Sequence, residues 1–154
     1  MILQNRLKPE TNTSQIKIIK DYEKLPKVDC YPGPLNQVFM NLLTNAIDAL
    51  EEYNKQRTLQ DIKTNPSEIQ ISTSAINKDW IIVSIVDNGL GIPAEIQEQI
   101  FNPFFTTKPV GKGTGLGLSI SYQIITEKHD GKLYFHSTPG QGAEFVVEIP
   151  IKKK

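Results

Sequence analysis

The stretch PLNQVFMNLLTNAIDALEE, residues 34–52, sorts its side chains onto two faces that need different surroundings. At about 100° of rotation per residue, Leu35, Val38, Leu42, Ala46, Ala49 and Leu50 gather on one side, and Gln37, Asn41, Thr44, Asn45 and Asp48 form a narrow stripe on the other. The spacing predicts a helix over residues 35–52, with Pro34 in the first turn, where its missing N–H costs nothing. Its apolar side has to be buried against a second layer. The stripe is unlike an ordinary wet surface, because it has no Lys or Arg and relies on Asn and Asp, which are mediocre helix formers. Asn41 and Asn45, at i and i+4, present two amide oxygens side by side, neutral hard ligands of the kind Mg²⁺ accepts beside phosphate oxygens and water. Taken alone, the same pair could instead cap neighbouring loops.

What the helix packs against follows from the rest of the chain. Residues 16–22 read as a short strand, Ile69 and Ile71 alternate with Gln70 and Ser72 in a half-buried strand, and WIIVSIV is a second strand with Asp87 at its end. These last two should pair. Residues 54–66 are polar and proline-ended, which predicts a long loop or insert. A short helix over 93–100, a mobile loop over 101–114, a longer helix over 116–128, and strands over 132–137 and 144–149 around the turn TPGQG complete the reading. The expectation is an α/β fold, a two-layer α/β sandwich whose mixed sheet is covered by helices on one face. With 154 residues this is one domain.

Three further segments carry candidate chemistry. In VDNGLGI a strand delivers the Asp87 carboxylate to the sheet end, and Gly89 and Gly91 remove side chains just beyond it. A lone DNG is ordinarily a turn. In this setting a flat ring can approach the backbone while Asp87 accepts from an exocyclic amine such as that of adenine. The run Gly111, Gly113, Gly115, Gly117, followed at once by a helix, suits a phosphate cradle of bare N–H groups, with Lys108, Lys112, Thr106, Thr107 and Thr114 as added donors. It matches neither GxxxxGK[ST] nor GxGxxG and no strand leads into it, so P-loop and Rossmann readings fail. A glycine-rich lid without a ligand remains open at this point. In FNPFFTTK, Phe101, Phe104 and Phe105 read as a hydrophobic hinge at the base of that loop.

The ordered set NLLTNAIDAL, DNGLGI, FNPFFTTK and GTGLGLSI resembles the N, G1, F and G2 boxes of the catalytic ATP-binding domain of bacterial sensor histidine kinases, in the superfamily of gyrase, the ninety-kilodalton heat-shock chaperone and MutL. The resemblance implies the Bergerat-type ATP-binding fold over residues 16–150, with 1–15 a linker or the end of a missing dimerisation helix and 151–154 a basic tail. It implies ATP and Mg²⁺ as cofactors, with Asn45 and Asn41 as metal ligands, and Asn41, Asn45 and Lys108 as the catalytic set. Asp87 would bind the adenine amine, Gly89, Gly91 and Ile92 would shape its pocket, and Asn45, Asp48, Thr106, Thr107, Lys108, Lys112, Gly113, Thr114, Gly115, Leu116, Gly117 and Leu118 would complete the nucleotide site. Two residues depart from the pattern. Asp48 stands where some of these kinases have a basic phosphate contact, leaving that charge to Lys108 or Lys112, and Ala143 replaces a threonine near the base. Hydrolytic members carry a glutamate general base one helical turn before the metal asparagine, where this chain has Asn41, which cannot take a proton.

The implied activity is therefore transfer of the γ-phosphate to a histidine rather than to water. His129, in EKHDGKLYF, and His136, on a strand, both read as structural, so the acceptor is expected on a separate helical dimerisation domain, in the same chain or in trans, with a response regulator downstream. The isolated chain is then expected not to autophosphorylate. The competing readings are a non-catalytic ATP-binding switch and an ATPase of the same superfamily. Seventeen Lys and Arg against seventeen Asp and Glu give no net field for nucleic acid or a membrane surface. No apolar run spans a bilayer and no signal-peptide pattern opens the chain, so the expected location is cytoplasmic. The lone Cys30 reads as a packed thiol.

Overall fold

An alternating Ile pair precedes a polar turn and an Ile- and Val-rich run follows it, and the computed structural model, which describes residues 16–102 and 117–152, folds both stretches as strands. β1 (Lys17–Tyr22), β2 (Glu68–Ala75), β3 (Trp80–Asp87), β4 (Lys132–Ser137) and β5 (Ala143–Pro150) form one five-stranded sheet in the order β1-β2-β3-β5-β4. β1 runs parallel to β2, while β2 with β3, β3 with β5 and β5 with β4 are antiparallel, so the sheet is mixed. Side-chain alternation puts Ile81, Val83, Ile85 and Asp87 of β3 on one face, opposite Ile149, Val147, Phe145 and Ala143 of β5. Two helices cover that face, α1 (Pro32–Asn54) and, further along the chain, α3 (Gly117–Gln123), which continues into a π-helical turn over Ile124–Lys128. The expected two-layer α/β sandwich is the observed one.

Val38, Leu42, Ile47 and Leu50 of α1 are almost wholly buried against Ile69, Ile85 and Val147, and each such side chain contributes about 1.5–3 kcal/mol by leaving water. The helix starts at Pro32 rather than residue 35, because both Pro32 and Pro34 fit a first turn and the Leu35 N–H closes on Tyr31 O at 2.9 Å. Its apolar face is also rotated from the wheel reading. Leu43 and Ile47 are buried, whereas Ala49 is exposed.

Residues 54–66 are not simply a loop. Thr58 and Asp61 form a reciprocal capping box, with side chain to backbone bonds of 3.0 and 3.2 Å, that starts α2 (Leu59–Thr64). Arg57 ties this insert together by donating to Asn54 Oδ1 and Asn65 O at 3.1 and 2.8 Å, with its guanidinium 4.7 Å from the Tyr53 ring. The expected helix over 93–100 is a 3-10 helix, Ala94–Gln99. The wide turn that ends the helix after α3 places His129 Nδ1 3.0 Å from Ile124 O, and Gly131 follows where a Cβ would overlap Glu148 O.

Candidate functional site

β3 is flanked on both sides by paired strands, so its C-terminal residue is delivered to the middle of the sheet end. That residue is Asp87, buried, paired across the sheet with Ile69 and Ala143. Its Oδ1 accepts the Gly89 N–H at 2.9 Å, and the carboxylate also accepts the Ala143 N–H. Burial pushes the Asp87 carboxyl above the ordinary carboxylate range, and the two backbone donors offset part of that rise. A carboxylate accepts about four hydrogen bonds, so acceptor capacity remains after these two.

The floor beside it has to be bare. A Cβ at Gly89 would lie 3.1 Å from Asp87 Oδ1 and 3.5 Å from Leu50 Cδ2. Gly91, at φ 77°, would meet Thr138 O, Gly142 O and Ser137 Oγ at 2.8–2.9 Å. The Ile92 N–H donates to Ser137 Oγ at 2.7 Å, and Ile92 O accepts from Gln97 Nε2 at 2.9 Å. On the other flank Asn88 closes the sheet edge. Its Oδ1 accepts the Glu68 N–H at 2.8 Å and its Nδ2 donates to Pro66 O at 2.9 Å.

The polar stripe of α1 runs along the same opening. Ala49 O and Leu50 lie beside Gly89 at one end, and Asn41 lies against Gly117, the first residue of α3, at the other. These ends are eight residues apart, about 12 Å along a helix axis. Asn41 Nδ2 donates to Gly117 O and to Ser121 Oγ, both at 3.2 Å, so its amide nitrogen is committed to joining α1 and α3. Asn45, Thr44 and Asp48 are half-buried on the same side of α1, Asp48 with a partner of its own. Leu118 is half-buried and packs on the core. Thr106, Thr107, Lys108, Lys112, Gly113, Thr114, Gly115 and Leu116 lie outside the described residues, as do Phe104, Phe105 and all of the expected loop over 101–114 beyond residue 102.

Both histidines are away from this opening. His129 is buried, its Nε2 accepts the Tyr31 N–H at 3.0 Å and its Nδ1 pairs with Ile124 O. His136 is exposed on β4 opposite Glu144, on the sheet face turned away from Asp87. Sequence reading missed Ser137, Gly142, Asn88 and the Ala143 N–H. Of these, Gly142 left a signal, since a second glycine in TPGQG exceeds what the turn itself needs; at φ 98° its Cβ would overlap Asp87 O.

The family model for histidine kinase-, DNA gyrase B-, and HSP90-like ATPases matches residues 31–153, which include every element of this site. The chain belongs to that family. The chain is 31% identical over 148 residues to sporulation kinase E of Bacillus subtilis (strain 168), covering 96% of this chain and 18% of that protein. The catalytic domain of histidine kinase ThkA superimposes with a TM-score of 0.69 at 33% identity, covering 89% of this chain and 80% of that one. ThkA has also been solved in complex with a response regulator protein, TrrA, where the match has a TM-score of 0.65 at 30% identity over 88% of this chain and 34% of that one. Full-length ShkA in complex with AMPPNP matches with a TM-score of 0.70 at 26% identity over 90% of this chain and 26% of that one. The chain thus spans less than a fifth of the length of sporulation kinase E. Among its described residues no helix is long and apolar enough to cross a membrane.

Proposed function

We propose that residues 16–150 bind MgATP and donate the γ-phosphoryl group to a histidine on a separate helical dimerisation domain, with 1–15 as the link to it and a response regulator downstream, in the cytoplasm. The observation that carries this reading is the buried Asp87 carboxylate, held by two backbone N–H groups beside Gly89, where a Cβ would be crowded, and Gly91, where none fits. Such an acceptor suits the exocyclic amine of adenine, and the flat floor suits its ring. Family membership and the AMPPNP held by ShkA support the same ligand class.

The donor set along α1 fits Mg²⁺. With Asn41 Nδ2 engaged by α3, its amide oxygen is the atom left for a cation, and Asn45 offers a second one turn on. Bound Mg²⁺ would neutralise charge on the phosphate oxygens. Asn41 cannot act as a base towards water, which favours transfer over hydrolysis. Gly117 and Leu118 would border the phosphate end of the opening, Asp48 lies one residue from Ala49 towards its base end, and the expected donors from Thr106 to Leu116, with Lys108 and Lys112, would supply the positive charge at the phosphate end.

Calorimetric titration tests the reading. Wild-type chain should bind ATP with a clear dependence on Mg²⁺, and Asn45→Ala should weaken MgATP binding about tenfold or more while leaving the melting temperature unchanged. Equal affinity in the variant, or equal ATP affinity with Mg²⁺ and with EDTA, would remove Asn45 from the metal site.

A further inference from the structure

Beyond Asp87, residues 88–92 have no regular secondary structure, yet a base-reading carboxylate has to be aimed within a few tenths of an ångström. What fixes this segment is the turn between β4 and β5. Gly140 N–H donates to Leu90 O at 2.5 Å, Ala143 N–H donates to the Asp87 carboxylate, and Gly142 packs on Asp87 O. On the side of the turn, all three contacts use backbone atoms. Ser137, the last residue of β4, adds a side-chain bond. Its Oγ accepts the Ile92 N–H at 2.7 Å and donates its own proton to Gly142 O at 3.2 Å. One hydroxyl therefore joins the far end of the 87–92 segment to the residue packed on its near end. The same Oγ is one of the three atoms that exclude a side chain at Gly91.

The geometry points to Ser137 as a positioning residue for base recognition: by tying Ile92 N–H to Gly142 O, it holds the Asp87 carboxylate and the Gly91 floor in the arrangement that selects adenine. Ser137 does not touch the base. Without its hydroxyl, Ile92 N–H and Gly142 O lose their shared partner, and the segment can relieve the loss by moving away from the turn. The carboxylate then meets the amine in a range of poses, and discrimination between ATP and GTP falls together with ATP affinity. The inference rests on the proposed reading of adenine by Asp87.

The test measures ATP and GTP binding by calorimetry, with Mg²⁺, in wild type and in Ser137→Ala, Ser137→Thr, Ser137→Cys, Ser84→Ala and Asp87→Asn. Ser84 is a buried hydroxyl on the opposite sheet face that donates to Glu144 at 2.5 Å, so its removal serves as a control for the loss of a hydrogen bond. Ser137→Ala should weaken ATP about tenfold and reduce the ATP-to-GTP preference by a similar factor. Ser137→Thr, which keeps the hydroxyl, should restore both, and Ser84→Ala should change neither. Amide exchange at Ile92 in the free protein should quicken in Ser137→Ala and not in Ser84→Ala. If Ser137→Ala does not fold, Ser137→Cys, with a weak donor and acceptor of similar size, should show an intermediate preference, and a wild-type preference there overturns the proposal. Wild-type discrimination in Ser137→Ala, with discrimination lost in Asp87→Asn, overturns the role of Ser137 and leaves that of Asp87 standing. Unchanged discrimination in both variants removes the reading of the base by Asp87 itself.

Discussion

Asp87 is held in a costly state that a ligand can exploit. Burial raises its folded-state pKa above the ordinary value of 3.8, so the protonated form is favoured by folding. This contribution to stability is complete below the unfolded-state value and is lost as pH rises through the folded-state value, because above it a buried carboxylate has to stay ionised. Recognition of an amine has the opposite sign. The ionised carboxylate makes the stronger, charge-assisted bond, so ATP affinity should rise with pH over that same interval, by up to about tenfold per unit for one linked proton. Denaturation and ATP titration across this interval should therefore show free-protein stability falling while affinity climbs, and Asp87→Asn should lose both slopes. If either slope persists in that variant, another group is titrating. The neutral amide oxygens of α1 carry no such pH dependence, which would separate the proposed metal end of the opening from the base end.

The elements that build the opening were legible where local pattern decides them and obscure where distant segments meet. β2, β3 and the pairing between them follow from alternating Ile and Val, and Asp87, Asn41 and Asn45 stand out because their residue types are unusual for a strand end and a helix face. The start of α2 was hidden because its capping box uses Asp61 rather than Glu or Gln, inside a stretch whose composition suggests loop. Asn41 read as a candidate ligand, while its bonds joining α1 to α3 depend on Gly117 and Ser121, more than seventy residues away. The turn between β4 and β5 was the main omission, since its contribution comes through backbone groups that have no residue signature. Two glycines in it separate strain from close approach. Gly140, at φ 85°, has open space around it, so Gly140→Ala should cost about 1 kcal/mol of backbone strain and leave nucleotide binding intact. Gly142→Ala adds overlap with Asp87 O to the same kind of strain. Its cost should be on the order of 3 kcal/mol, with ATP binding weakened because the base-reading residue is displaced. Chemical denaturation beside MgATP titration of the two variants checks this, and equal costs would mean that the turn does not brace Asp87.

Across the entire chain, the proposed division between binding and transfer rests on where its histidines lie. His129 uses both ring nitrogens inside the fold, one towards Tyr31 N–H and one towards Ile124 O, so attack on phosphorus would require local unfolding. His136 is exposed but lies on the sheet face opposite to Asp87, with the sheet between it and the opening. On the proposed reading, neither is placed to come into line with a phosphoryl group bound along α1. On the same reading water is poorly served, because Asn41 carries no carboxylate to act as a base. Phosphoryl transfer depends mainly on positioning and charge stabilisation, so a nucleotide held here should stay unreactive until an outside imidazole is presented to it. The isolated chain incubated with radiolabelled ATP should accordingly bind it, release little inorganic phosphate and retain no label. Adding a matching dimeric helical domain that carries an acceptor histidine, fused or in trans, should place acid-labile, base-stable label on that domain. Label on His129 or His136, or rapid turnover by the chain alone, would favour an ATPase over half of a kinase. Persistent binding without transfer to any helical partner would favour a nucleotide-driven switch.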